Sequence, residues 1–576
     1  MKLFGNLDRE RRGNGVHEDI WPAVAVTAAC GFLSLFQPLY THVDNYYVSL
    51  ITNGIYDSDN YCLFLNPVLC KVIGMIRKVL PGADAFTLLS RILILAGIWL
   101  LASQISRSGR NRWEKAAGYL ILFLFVVNAS LFYENYTIWA AFFSFVAMVR
   151  LLFVMRRGGR AGDLVIGALF LSCGLMWRKQ AAALFLPFYV LELGIGYLRA
   201  RKEKRGMDYI RKCGRVFGIS IACVVLLLFT DLSFRFSEKY AYGVAYNQIF
   251  SNMVDFPMKD YEEVKHVLPG VSRNDYESLQ VRLLADTDHV VPQYGAVIKD
   301  VGRTYAGSFN MSGLKESNLF LLKTIAESPK TCLFCGILLF FLIWFLLSDV
   351  KWYHKLEFLL AYAGAYIILF YFAFIGRIPL RVINSVIYAV MGIVMLFFLT
   401  EQWKEYYHVL RWGKRIFFVL LFAIVMIDTV TYDFVRPQSV FHVEKDVEET
   451  PWESTYKEET LYLWQTNEFV QYPVRSFMNQ GKLLPEEFLE HNLCYGEWIY
   501  GQVYYQNYME ELGVRNPMRA LLGRDETYYV AEDNDLVLIW LQEHYDEGIQ
   551  VRATGEVNQI PVWEFDGAGK EDDKVL

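Results

Sequence analysis

Charge is scarce in this 576-residue chain. Only 20% of residues are Asp, Glu, Lys or Arg, while 54% are hydrophobic and the mean hydropathy is +0.23. That balance excludes a soluble protein of this size and leaves several membrane spans joined to polar domains. A Gly-rich phosphate loop is absent, as are a Ser-His-Asp pattern and an HExxH pattern. The common routes to nucleotide hydrolysis, triad hydrolysis and zinc proteolysis are therefore not written here. There is no internal repeat, which argues against a repeat-built transporter, and no low-complexity linker. The first apolar run lacks a small-residue cleavage pattern, so the basic start MKLFGNLDRERRGNG reads as the cytoplasmic flank of a retained signal anchor. The nine cysteines are scattered, mostly in apolar runs where they act as small hydrophobes. Cys62 and Cys70 could pair on an oxidising side. Cys332 and Cys335 form a CxxC without the His or second pair that a metal site needs.

Long apolar runs are what the chain has in abundance. At roughly 20 residues per crossing, candidates fall at 20–40, 86–105, 116–133, 136–155, 163–177, 182–198, 214–232, 331–348, 356–374, 380–400 and 416–434. The reading is an all-α polytopic membrane protein of about 11 transmembrane helices. Lys and Arg set the orientation. One set of short connections, including RARKEKRGMDYIRKCGR at 199–215, carries 25 of them. The opposite set carries seven: Lys71, Arg77, Lys78, Arg178, Lys179, Arg377 and Arg381. This predicts a cytoplasmic N-terminus (1–19), a membrane domain over 20–434 with outside loops 41–85 and 233–330, and an extracytoplasmic C-terminal domain over 435–576. In that last domain, YYVAEDNDLVLIWLQEHYDEGIQV and IPVWEF read as short strands around a helix, giving a small α/β unit. Its aromatic run YGEWIYGQVYYQNYMEELGVRNPMRALLGRD suits either a core or a sugar-stacking platform, with the core favoured.

The stretch Thr41–Pro81 organises the rest. Apolar residues Val68, Leu69, Val72, Ile73, Ile76, Val79 and Leu80 recur at helical spacing, with Lys71, Arg77 and Lys78 between them. That pattern describes a helix lying in the membrane surface. Just before it, Asp44 stands at the expected membrane edge, placed either to act as a general base or simply to cap a helix. Glu134 is the single charge in the short outside turn between the third and fourth spans, where it could serve the same site or only the helix dipole. Arg178 with Lys179, and Arg377 with Arg381, interrupt apolar segments on the cation-poor side, and Arg suits a phosphate there. Snorkelling to lipid headgroups is the alternative. Glu192, Glu357 and Asp428 read as pairing or edge charges.

These features together resemble the GT-C superfamily of polyprenyl-phosphate-dependent glycosyltransferases. The likeness is greatest to uncharacterised multi-pass members from Gram-positive bacteria. It rests on the early acid and turn pattern of DNYYVSLITNGIYDSDNYCLFLNPVLCKVIGMIRKVLP, on WRKQAAALFLPF and FIGRIPLRV, and on the tail segment WIYGQVYYQNYMEELGVRNPMRALL. The resemblance covers most of the chain in layout, through short motifs. It implies a bacterial cell-membrane enzyme that moves a sugar from a polyprenyl-phosphate donor to an extracytoplasmic glycan, lipid or protein. Asp44 and Glu134 would be the catalytic acids. Arg178, Lys179, Arg377 and Arg381 would hold the donor phosphate. No cofactor is implied beyond that donor, and a divalent metal is left open. Many such enzymes have two adjacent acids in the first loop, whereas Asn45 follows Asp44 here and Asp57 and Asp59 are the nearest substitutes. A lipid-linked oligosaccharide transporter or flippase, and a non-catalytic envelope-assembly protein, are the competing readings. Nucleic acid is not an expected partner, because orientation accounts for the basic runs.

Overall fold

The computed structural model describes residues 20–34, 43–56, 60–108, 110–123, 135–256, 258–280, 310–400, 459–469, 483–495, 498–557 and 559–567, with 286, 289, 419, 423 and 473 besides. Among the described residues, fifteen helices of eight residues or more come first. They are α1 (Trp21–Ser34), α2 (Val43–Thr52), α3 (Pro67–Val79), α4 (Ala85–Ser106), α5 (Arg112–Leu122), α6 (Tyr136–Arg157), α7 (Ala161–Ala183), α8 (Leu186–Lys202) and α9 (Gly206–Arg235). Then follow α10 (Glu238–Val254), α11 (Arg273–Gln280), α12 (Met311–Glu327), α13 (Pro329–Leu347), α14 (Trp352–Phe374) and α15 (Leu380–Thr400).

Six of these are long and apolar enough to cross a membrane: α4, α6, α7, α9, α14 and α15. Eleven spans are therefore not what the described residues display, and the differences have local causes. In α1 the apolar part, Trp21–Phe32, is too short, and α8 has 17 residues. Helices α12 and α13 meet at 107°, so together they make one broken span at most. Of the 116–133 candidate, α5 covers the first part and 124–134 lie outside the described residues, while 416–434 lies almost wholly outside them. Multi-pass membrane character stands on the six.

The bundle is built around α6 and α15, which bury 18 of 22 and 17 of 21 residues. Helix α7 packs closely on α6, because a Cβ at Gly174 would run into Ser144 and the Ala140 carbonyl. Outer helices instead expose large apolar side chains, such as Ile221, Val225, Leu226 and Phe229 on α9. An unpartnered apolar face of that extent suits lipid. At one end of the bundle Arg156 is shared by Glu192 (2.6 Å) and Glu357 (2.8 Å), both carboxylates being nearly inaccessible, and His354 bonds Glu357 at 3.1 Å. The expected pairing role of these acids is what is seen.

The C-terminal unit is an α/β domain with sheet order β2-β1-β3-β5-β4. Its strands are β1 (Leu461–Gln465), β2 (Asn492–Tyr495), β3 (Thr527–Val530), β4 (Gln550–Val557) and β5 (Ile560–Asp566). Strand β1 pairs in parallel with β2 and β3, and β5 lies antiparallel between β3 and the edge strand β4. The helix between β3 and β4 is Asp535–His544. The domain docks on two outer segments. Tyr56 packs against Tyr504, Tyr505 and Tyr508, with centroids 6.4, 5.2 and 5.3 Å away, so the aromatic run forms a buried contact. Asp286 is the second anchor, accepting hydrogen bonds from Asn516 (2.9 Å), Trp540 (2.8 Å), Tyr545 (2.9 Å) and His289 (3.0 Å).

Two stability outcomes follow from these contacts. Arg156→Gln takes the shared guanidinium from two buried carboxylates, and the expected cost is about 3–5 kcal/mol, read as a clear drop in Tm in detergent. An unchanged Tm would contradict that account. At Asp286, burial pushes the carboxyl pKa up, but the four donated hydrogen bonds outweigh burial and hold it below the ordinary aspartate value. A depressed folded-state pKa contributes stability above the unfolded value, about 4, and loses it as pH falls through the folded value. Asp286→Asn should therefore lower Tm at pH 7, at a cost of about 1.5–3 kcal/mol, with the gap to wild type closing near pH 2. A gap of the same size at both pH values would rule the anchor out.

Candidate functional site

Asp44 lies in the first turn of α2, the end of a helix where a negative side chain is favoured. Two ties fix that turn. The buried Asn45 accepts the Tyr136 backbone N–H at 3.1 Å, joining it to the start of α6. Asp84, the N-cap of α4, accepts from Ser49 (2.8 Å), Asn53 (2.9 Å) and the Thr87 N–H (3.2 Å), which joins α2 to α4. Helix α3 starts at Asn66, whose side chain caps Val68. Its Pro67, Leu69, Cys70 and Ile73 face the protein while Val68, Met75 and Val79 are exposed, the two-sided character expected of an interfacial helix.

Arg178 reaches the same place by a break in α7. Its backbone is extended (φ −161°, ψ 99°), and the Met176 carbonyl accepts the Asn66 backbone N–H at 2.9 Å instead of a helical partner. Past the break, Arg178 donates to the Tyr136 hydroxyl at 2.6 Å and lies over the Phe64 ring at 4.7 Å. Phe64 in turn packs on Trp498 of the C-terminal domain, with centroids 4.4 Å apart. No carboxylate of the described residues comes within 4.0 Å of Arg178. Lys179 leaves on another heading and pairs with Asp231, which Arg235 also meets at 3.1 Å.

Arg377 is delivered by a helix stop. Gly376, at φ 76°, ends α14 with its N–H on Ala373 O (3.0 Å) and the Arg377 N–H on Phe372 O (3.0 Å), the paired bonds of a Schellman turn. The side chain then pairs with Asp255 at 2.7 Å, over the Phe256 ring. Arg381 sits in the first turn of α15, where the dipole disfavours a cation. Burial pushes the Arg377 pKa below its ordinary value. Asp255 opposes this most, Arg381 and Arg178 add to it, and Asp44 opposes it. Four of the expected site residues, Asp44, Arg178, Arg377 and Arg381, thus share one electrostatic neighbourhood, joined by Tyr136, on which Arg178, Asp44 and Arg381 all act. Glu134, Asp57 and Asp59 lie outside the described residues. Lys179 is committed to Asp231.

Chemically the cluster offers one carboxylate with a helix-favoured position, three guanidiniums, and a buried Asn45 amide nitrogen that no group of the described residues satisfies. Asn45, Phe64, Tyr136, Asp255 and Trp498 escaped the sequence reading. Only the adjacency of Asn45 to Asp44 and the Trp in YGEWIYG gave any signal. Cys62 and Cys70 are free thiols, with the Cys62 N–H on Cys70 Sγ at 3.4 Å. Among the described residues, metal-ligand geometry occurs at Asp275, Glu543 and His544, a set that includes neither Asp44 nor the CxxC cysteines. Comparison with family models, with curated proteins and with solved structures finds no match for this chain.

Burial pushes the Cys62 thiol up to about 12, against opposing backbone hydrogen bonds and the field of Arg178. Little reactive thiolate exists at pH 8. Alkylation at that pH should spare Cys62 in the folded protein and modify it after unfolding, as peptide mass mapping would report. Rapid modification of folded protein would overturn this packing of the first loop.

Proposed function

We propose that this protein is a membrane glycosyltransferase of the cell envelope, transferring a sugar from a polyprenyl-phosphate donor to an extracytoplasmic acceptor. The observation that carries the reading is the convergence of Asp44 with Arg178, Arg377 and Arg381 at one end of the apolar bundle. Among the described residues this cluster sets three guanidiniums beside two carboxylates, Asp44 and Asp255, where a lipid-borne phosphate would arrive, and arginine forks bind phosphate oxygens in pairs. The unpaired Asn45 amide adds a donor beside them. On this reading the cluster end is extracytoplasmic, and the Arg156 end, rich in Lys and Arg, is cytoplasmic.

In the reaction, Asp44 accepts the proton of the acceptor hydroxyl as its oxygen forms a bond to the sugar's anomeric carbon. The anomeric carbon–phosphate oxygen bond breaks, and polyprenyl phosphate leaves with its electron pair held by the guanidiniums. The apolar flank of α3 gives the prenyl chain a bordering surface, while the aromatic contact through Phe64 and Trp498 positions the C-terminal domain over the acceptor side.

The test is sugar transfer by purified full-length protein in lipid, against a panel of polyprenyl-phosphate sugars. With one donor consumed, Asp44→Asn should lower kcat by about 10²–10⁴-fold without changing Tm. Arg178→Gln should raise the donor KM and lower kcat together. No turnover with any donor, or an Asp44→Asn variant as fast as wild type, would sink the proposal.

A further inference from the structure

The end of the bundle opposite the Asp44 cluster holds a polar cavity. Helix α6 runs from Tyr136 to Arg156, about 30 Å at 1.5 Å per residue, so the two ends are a bilayer core apart. The cavity has a volume of about 670 Å³ and is lined by Arg156, Arg157, Glu192, Arg199, Arg205 and Lys212 among others. That volume is in the range of small-ligand sites.

Its floor is the Arg156–Glu192–Glu357 network, and two polar atoms there have no partner. Glu192, a residue only 5% exposed, leaves Oε1 without a hydrogen bond, and Arg199, held over the Tyr353 ring at 4.1 Å, leaves Nε buried and unbonded. Glu192 lies close enough to Glu357 to share a proton with it, which does nothing for Arg199. Around them the cations are only partly engaged. Arg157 is exposed, Lys212 bonds the Met155 carbonyl, and Arg205 meets Glu203 at a loose 3.8 Å. Buried unsatisfied polar atoms beside a cavity are costly unless something supplies their partners.

We infer that this cavity binds a phosphate ester that also carries a hydroxyl. Arg199, with Arg157 and Arg205, takes the phosphate, and the hydroxyl donates to Glu192 Oε1. Orthophosphate can donate through its own P–OH, but it cannot place a phosphate on the guanidiniums and a separate hydroxyl on Glu192 Oε1 at once. The ligand is either the headgroup of an anionic lipid, met where α6, α8 and α14 end, or a soluble polyol phosphate. This site is separate from the Asp44 cluster and does not depend on the transferase reading.

The experiment is thermal unfolding of the full chain in neutral detergent during titration with glycerol phosphate and, separately, with a short-chain phosphatidylglycerol. Orthophosphate and short-chain phosphatidylcholine serve as controls. A saturable Tm rise with both esters identifies a soluble-type ligand, and a rise with the lipid alone identifies a headgroup. In either case Arg199→Gln should weaken the apparent Kd about tenfold or more, with its own ligand-free Tm near wild type. Arg157→Gln, an exposed position, provides the same reading at smaller size if Arg199→Gln does not fold. A rise of equal size with orthophosphate, no rise with either ester, or variants that keep the wild-type Kd would overturn the assignment.

Discussion

The break in α7 at Arg178 is the feature on which the Asp44 end of the bundle depends. A span that loses a helical hydrogen bond at membrane depth exposes a carbonyl that lipid cannot satisfy. Here the freed Met176 carbonyl goes to the Asn66 backbone N–H, and the Asn66 side chain both caps α3 and donates to Leu227 O at 2.8 Å on α9. One loop residue therefore closes the break, starts the interfacial helix and reaches a third element. Without the break, Arg178 would continue along the helix surface. With it, the guanidinium turns between Phe64 and Tyr136, and the Trp498 contact ties the C-terminal domain to the same point.

The two ends of the bundle treat arginine in opposite ways. Arg156 is overmatched by two buried carboxylates, with Thr400 and the Phe397 ring completing its surroundings. That is a structural cation, and its surroundings lock α6 to α8 and α14. At the other end Arg178 has aromatic faces and a phenol but no carboxylate among the described residues, and Arg381 stands against the dipole of its own helix. A cation held against the dipole of its own helix carries a local cost. On the proposed reading, the donor phosphate at that end would offset it.

Much of this was legible in the sequence, for reasons that differ by element. Charge parity along antiparallel spans puts Asp44, Arg178, Arg377 and Arg381 on one side, although more than 300 residues separate the first from the last. What parity does not give is lateral position, and Lys179 shows this: one residue from Arg178, across a break, it faces Asp231 instead. Apolar runs located the long helices but cut α7 short at its charges, since a hydropathy window does not anticipate that those charges leave the span through a kink. The hairpin strands and the helix before them read correctly from turns and alternation. Strands β1 and β2 did not, because LYLW and NLCY are short, buried in a parallel arrangement and lack the alternation that marks a half-exposed strand.

Asn45 shows what a motif resemblance alone leaves out. Two adjacent acids in the first loop would offer a metal two carboxylates, and Asn45 looks like a loss. Its amide is instead fully buried, with Oδ1 on the Tyr136 N–H, so a carboxylate in its place would keep that bond but bring a charge into the interior. The neighbouring Asp255 is engaged by Arg377. The charge that would meet a phosphate here is therefore carried by three guanidiniums, each positioned by a different backbone device: a helix break at 178, a left-handed glycine stop before 377, and a first helical turn at 381. Arginine forks fixed in this way supply directional donors as well as charge, and on the proposed reading Asp44 is the carboxylate of the cluster that takes the proton.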